Sequence, residues 1–320
     1  MVFRKTADGK VLGMVPFIEQ IMFALMLSST YALISVGFTL FFGAINIVHF
    51  SHGDVAMLGS FIGIILYGIL TLTGLLAVFP FWVSALVIIG VTCILVGFVG
   101  TLFERVVIKP FRRSPLLMVL VATIALGIVI RESVRLFYPQ GSNPQVFPQI
   151  LPSGSFSLGD LVVRWNHVLI LLISVLLIVL MVLFINRTKT GMAIRAISQD
   201  MEAANLMGIN SDRIIAATFL IGSILAGLAG VLIGSYQTVV RFDIGLMGGI
   251  KGFSAAVVGG LGNFYGAIVG SVILGFVESL VSAYVPGGAP YKDVFAFLIV
   301  IFFLVFRPAG VIGKAVPVKI

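Results

Sequence analysis

From Val55 to Phe103 the chain carries no Asp, Glu, Lys or Arg, and the stretch from Gln20 to Gly53 is equally free of them. A helix crossing a bilayer takes about 20 apolar residues at a rise of about 1.5 Å each, so the first of these runs has room for two crossings. The apolar residues are continuous rather than alternating, which argues against a transmembrane β-barrel. Only 10% of the 320 residues are charged and 60% are hydrophobic, where a soluble domain carries about 25% charged residues. Mean hydropathy is +1.20. The expected fold is an all-α, polytopic transmembrane helical bundle forming a single domain over 1–320. The 36 glycines fit membrane helices that pack closely or break.

The remaining charges order the segments. Further spans are expected at Pro115–Ile130, Val168–Ile185, Ile214–Val239, the Gly-rich stretch Gly252–Val285, and Val294–Phe306. The linker Glu104–Arg113 holds Arg105, Lys109, Arg112 and Arg113, and Asn186–Arg213 holds Arg187, Lys189, Arg195 and Arg213. The positive-inside bias places both linkers in the cytoplasm, and the Pro-, Gly- and Ser-rich loop 138–167 outside. The net charge of +8 is absorbed by this bias, so nucleic acid is not an expected partner. Arg4, Lys5 and Lys10 suggest a cytoplasmic start, without a cleavable signal of the usual form. Arg307, Lys314 and Lys319 suggest a cytoplasmic tail.

Parity then makes Gly252–Val285 begin and end outside, with a turn near Gly262–Gly266. It does the same for Phe38–Leu76, with a break near Asn46–Gly53. The halves 17–103 and 214–306 read as parallel repeats: outgoing helix, broken-helix hairpin, incoming helix. Interrupted helices in repeated units are a transporter signature.

Three constellations carry chemistry. Asn46, His49, Ser51, His52 and Asp54 cluster between apolar runs. Polar groups at membrane depth are costly unless they face a cavity or one another, so they are candidates to line a translocation path. The rival reading is a turn whose side chains satisfy freed backbone groups. A metal site has little support, with one nearby carboxylate and no Cys close by. Cys93 is single, which excludes an intrachain disulfide. Gly259–Gly266, with Asn263 and Tyr265, lacks the Lys-Ser/Thr of a phosphate loop and reads as a sharp break and a second stretch of path.

The third is Arg195–Asn210, a polar, Ala-rich helical pattern in a chain otherwise built for lipid. Ile197, Met201, Ala204 and Met207 recur at helical spacing, while Arg195, Asp200 and Glu202 are polar, and Gly208 and Asn210 supply a stop. It suits either the lipid surface or close docking against a protein. No G-x-x-x-x-G-K-[ST] pattern occurs, so ATP-driven work requires another chain to bind the nucleotide.

Glu202-Ala203-Ala204-x-x-x-Gly208 resembles the EAA motif of bacterial ABC-importer permeases. Gly43–Asn46 with His52-Gly53-Asp54, Arg195-Ala196 to Asn210, Ala226–Gly230, and Arg307-Pro308-Ala309-Gly310 resemble the LivH-type branched-chain amino-acid permeases from about Phe17 to Gly313. The resemblance implies a multi-pass bacterial inner-membrane permease in a lipid bilayer. It implies a LivM-like second permease, two ATP-binding subunits and an extracytoplasmic substrate-binding protein as partners. It also implies no cofactor in this chain, ATP being bound by the partner subunits. Arg195, Asp200, Glu202, Ala203, Ala204 and Gly208 would form a cytoplasmic coupling helix, docked in an ATPase groove. The Ile-x-Leu-Pro ending of the wider motif is absent after Gly208.

The expected function is import of branched-chain or other hydrophobic amino acids by alternating access. The chain is not expected to be an enzyme. Three rivals remain: a urea or short-amide permease, a passive channel for small neutral solutes, and an intramembrane enzyme using His49, His52 and Asp54.

Overall fold

One long helix forms the centre of the bundle. In the computed structural model, which describes residues 4–5, 11–12, 14–112 and 114–313, α1 (Met14–Ile45) is unbroken for 32 residues. At 1.5 Å per residue it spans about 48 Å. It is followed by α2 (His52–Leu72), α3 (Phe81–Phe103), α4 (Leu116–Phe137), α5 (Trp165–Arg187), α6 (Lys189–Gln199), α7 (Met201–Leu206), α8 (Ser211–Gln237), α9 (Ile244–Gly259), α10 (Phe264–Tyr284) and α11 (Lys292–Phe306). Among the described residues eight helical segments are long and apolar enough to cross a membrane, and α9 is a shorter apolar helix. In its most apolar window α1 is 78% buried and α8 67%, against 22% for α5 and 11% for the segment containing α11. A helix apolar all round and buried all round is a core element; α5 and α11 offer most of their surface to lipid. The all-α expectation holds. The strands are short two-stranded pairings outside the helices: Gln145–Val146 with Val239–Val240, Ser155–Leu158 with Leu161–Arg164, and Arg4–Lys5 with Val11–Leu12.

Two crossings are made by small residues. α2 and α8 meet where Ser60 Oγ donates to the Gly230 carbonyl at 2.6 Å and Gly59 faces the backbone of Gly227. α2 and α9 are as close: a Cβ added at Gly249 would lie 3.1 Å from the Gly53 Cα. Dispersion between closely approaching backbones replaces the hydrophobic effect as the attraction between helices in lipid.

Both expected breaks exist. Asn46 closes α1 in the left-handed conformation, φ 54°. Residues 47–51 then turn back into the protein, and α2 starts level with the last turns of α1, its His52 ring 5.0 Å from those of Phe38 and Phe41. The second break is the turn Gly260–Asn263, where Gly260 (φ 109°) and Gly262 (φ 85°) take conformations closed to most L-residues. Asn263 then caps α10, accepting from Gly266 N–H at 3.1 Å.

Contacts sort the helix ends onto two faces. On one, Glu19 of α1 accepts from Val162 N–H at 2.9 Å, and the Thr238 carbonyl just past α8 accepts from Phe147 N–H at 2.8 Å. On the other, Asp212 pairs with Lys109 and Arg112, each at 2.8 Å, and Asn186 donates to Tyr265 Oη at 3.4 Å. Asn263 reaches the Ile312 carbonyl there at 3.2 Å. These are called the loop face and the basic face below.

The expected cytoplasmic start of the chain needs correction. α1 begins on the same face as the 138–167 loop, opposite the two basic linkers. The error came from dividing 17–76 into an outgoing helix plus a hairpin. Residues 17–45 hold no Pro and only Gly37 and Gly43 as weak points, so the outgoing helix and first hairpin arm are one element. Lys10, Arg113, Lys314 and Lys319, which entered the charge argument, lie outside the described residues.

Candidate functional site

The polar pattern Arg195–Asn210 folds as two helices, not one. Thr188 caps α6, accepting from Gly191 N–H at 3.0 Å, and the buried face of α6 is Gly191, Ile194 and Ile197. Asp200 is extended (φ −159°, ψ 109°) and caps α7, accepting from Ala203 N–H at 2.9 Å. A side-chain acceptor here satisfies a backbone donor that the helix start leaves free. Arg195, Asp200, Glu202 and Ala203 are exposed, and Ala204 is buried. Gly208 ends the element at φ 86°. Asn210 belongs to the next helix, capping α8 through Arg213 N–H at 3.0 Å. The continuous apolar face expected from Ile197, Met201, Ala204 and Met207 is therefore split. Ile197 and Ala204 face inward, while Met207 is 83% and Leu206 89% exposed. The kink at Asp200 rotates the second helix and turns those two side chains outward.

The cluster at the first break divides by depth. Asn46 is exposed at the basic face, where it terminates α1. His49, Ser51, His52 and Asp54 are buried. Ser51 Oγ lies 3.3 Å from His49 Nε2, and Phe41 sits edge-on to both imidazoles, at 5.1 and 5.0 Å. Neither ring nitrogen of His52 has a hydrogen-bond partner among the described residues. Asp54 Oδ1 faces Arg131 of α4 at 3.6 Å, an ion pair too long for a good hydrogen bond. Asn263 and Tyr265 lie apart from this cluster, at the basic face, where Asn263 is a cap and Tyr265 is 55% exposed. Among the described residues no three His, Cys, Asp or Glu side chains are grouped to hold a metal ion.

A second buried polar cluster escaped the sequence reading. Lys251 Nζ of α9 lies 2.9 Å from Glu278 Oε1 of α10 and 2.7 Å from Asp293 Oδ1 of α11. Tyr31 Oη of α1 donates to Glu278 Oε2 at 2.6 Å, and Lys292 joins Glu278 at 2.9 Å. Two cations and two carboxylates thus balance. The signal was present: Lys251 and Glu278 are isolated charges in an apolar stretch, and an intramembrane ionisable residue marks a candidate site by default. Lys251 and Tyr31 also line a cavity of about 80 Å³ between α1, α2, α8 and α9, walled by Leu27, Met57, Ile233 and Met247.

Residues 20–304 match the family described as "Branched-chain amino acid transport system / permease component". The chain is 37% identical to the high-affinity branched-chain amino acid transport system permease protein BraD of Pseudomonas aeruginosa, over 93% of this chain and 96% of that one. It is 35% identical, with the same coverage, to the corresponding permease LivH of Escherichia coli K12. A probable branched-chain amino acid permease LivH of Methanocaldococcus jannaschii is 28% identical over 91% of this chain and 90% of its own.

Proposed function

The chain belongs to the family of branched-chain amino acid transport permeases, and from that premise we propose how it works: as one membrane half of an ABC importer in a bacterial inner membrane. It is a multi-pass membrane protein whose function is transport of branched-chain amino acids. Sequence likeness along nearly its whole length supports this cargo over urea, short amides or a passive channel. The basic face is the cytoplasmic one, and the loop 138–167 faces the extracytoplasmic binding protein. ATP is bound by two partner subunits, and a LivM-like permease supplies the other membrane half.

One observation carries the coupling role: Leu206 and Met207 stand 89% and 83% exposed beyond a capped helix on the basic face. Two large apolar side chains in water are the geometry of anchors awaiting a groove. Asp200, Glu202, Ala203, Ala204 and Gly208 shape the element, while Arg195 flanks it on α6. A rigid connection from there into the bundle is supplied by Asp212, which pairs with Arg112, itself bonded to the buried Glu104. Pressing on α7 moves α8 and α3 together. The buried His49, Ser51, His52 and Asp54 lie at the start of α2, against α9, where a change in helix crossing would be felt first.

Leu206→Asp with Met207→Asp tests this in proteoliposomes holding the full transporter. Leucine uptake and leucine-stimulated ATP hydrolysis should both fall about tenfold or more, the effect of losing buried anchors, with membrane insertion unchanged. Normal coupling in the double variant would overturn the docking role.

A further inference from the structure

The loop face holds two clefts that the transport chemistry above leaves unassigned. One, of about 300 Å³, lies under the 147–155 segment. The other, of about 310 Å³, lies between α1 and the strand Leu161–Arg164. Arg164, His167 and Tyr236 line both. Tyr236 also lines the central cavity at Lys251. The three spaces therefore meet at one ring.

The groups around them form a matched set. Arg164 is exposed and makes no ion pair among the described residues, leaving a planar fork of donors suited to a carboxylate. Asn166 Nδ2 is anchored on the Ser235 carbonyl at 3.0 Å, which fixes the amide, and its Oδ1 is buried without a partner. A buried acceptor left empty is costly, and an ammonium group would satisfy it. Phe147, Ile150 and Leu151 give the first cleft an apolar wall. Phe23 packs against both rings, 5.7 Å from His167 and 5.6 Å from Tyr236. Size separates the outer clefts from the centre: about 80 Å³ falls short of the usual range for small-molecule sites, which clefts of about 300 and 310 Å³ reach.

We propose that these clefts are the loading site of the permease for a free zwitterionic α-amino acid with an apolar side chain, with Arg164 taking the carboxylate and Asn166 Oδ1 the ammonium. Phe147, Ile150 and Leu151 receive the side chain. Tyr236 stands between this site and the central cavity, which is closed to cargo in this conformation. The proposal rests on the amino-acid transport reading given above and adds where the cargo is first held. A simple amine leaves Arg164 without its partner, a fatty acid leaves Asn166 without one, and urea has neither charge.

The test is equilibrium binding of radiolabelled leucine to the purified transporter complex without binding protein or ATP. Wild type should bind saturably. Arg164→Gln should weaken leucine about tenfold or more, the loss of a charge-assisted hydrogen bond, and Arg164→Lys should recover part of it. Competition by leucinamide, which lacks the carboxylate, should be unchanged by Arg164→Gln; a merely structural role would weaken both ligands alike. Absence of saturable binding to wild type, unchanged leucine affinity in Arg164→Gln, or equal loss for both ligands would overturn the site. ATP-driven leucine transport by the same complex with its binding protein reports on the cargo reading separately. If wild type moves no leucine, that reading fails; if it does while Arg164→Gln binds normally, only the loading site fails.

Discussion

The two buried polar clusters are built on opposite terms. Around Lys251 the cations are matched by carboxylates, and four helices, α1, α9, α10 and α11, are tied by contacts of 2.6–2.9 Å. Around His52 the groups are buried more deeply, and both imidazole nitrogens and Asp54 Oδ1 lack hydrogen-bond partners among the described residues, where in the Lys251 cluster only Asp293 Oδ1, ion-paired at 2.7 Å, is in that position. A satisfied network in a low-dielectric interior rigidifies its surroundings. An unsatisfied one gains from rearrangement. The Lys251 cluster therefore reads as a fixed pin on one side of α9, and the break at the start of α2 as the part that changes partners when the bundle rocks.

The sharpest break of this contrast is Glu278→Ala. It leaves Lys251 with Asp293 alone and takes from Lys292 the carboxylate it meets at 2.9 Å, and removing one member of a buried pair costs about 3–5 kcal/mol. The thermal unfolding midpoint in detergent should fall steeply, and Lys251→Met combined with Glu278→Met should recover much of the loss. A midpoint unchanged by Glu278→Ala would show that the cluster pins nothing.

Gly37→Ala comes next. A Cβ there would run into the His52 ring, and overpacking typically costs about 1–3 kcal/mol. His52→Ala in the same chain should relieve it, which a double-mutant cycle on unfolding midpoints would read. Additive losses would mean the ring moves aside freely.

Asp54→Asn should cost about 1 kcal/mol or less in stability, since the 3.6 Å pairing with Arg131 is a weak hydrogen bond at best. Transport should fall further than stability. Equal losses in both would place Asp54 with the pins. The smallest effect belongs to the exposed Arg135–Glu132 pair: Glu132→Ala should stay within about 0.5 kcal/mol, a baseline for the other measurements.

Much of the fold was legible because lipid imposes a simple rule. Where no water reaches the backbone, uncharged stretches become helices, and both breaks announced themselves through Asn46 and the glycines near 260. The direction of α1 was not legible, because charge bias counts linkers while only the contact between Glu19 and Val162 locates the helix start. The segment Arg195–Asn210 was legible as polar and Ala-rich, but not as kinked. Asp200 looked like one more polar face residue until its backbone took up an extended cap. The candidate path divided in the same way. His49, Ser51, His52 and Asp54 gather, whereas Asn263 and Tyr265 sit at a helix start near the basic face, because a polar residue in a loop looks the same whether it caps or lines.

The sequence by itself determined that this chain spans a membrane and where its helices break. Those follow from local composition, which acts through the cost of putting charge or bare backbone into hydrocarbon. Only the tertiary structure decided that Lys251 meets Glu278, that α2 begins between the last turns of α1 and α9, and that Arg164, Asn166 and Tyr236 converge. Such pairings depend on how close glycine lets two backbones come and on which face each helix turns inward, and neither is written in any single segment.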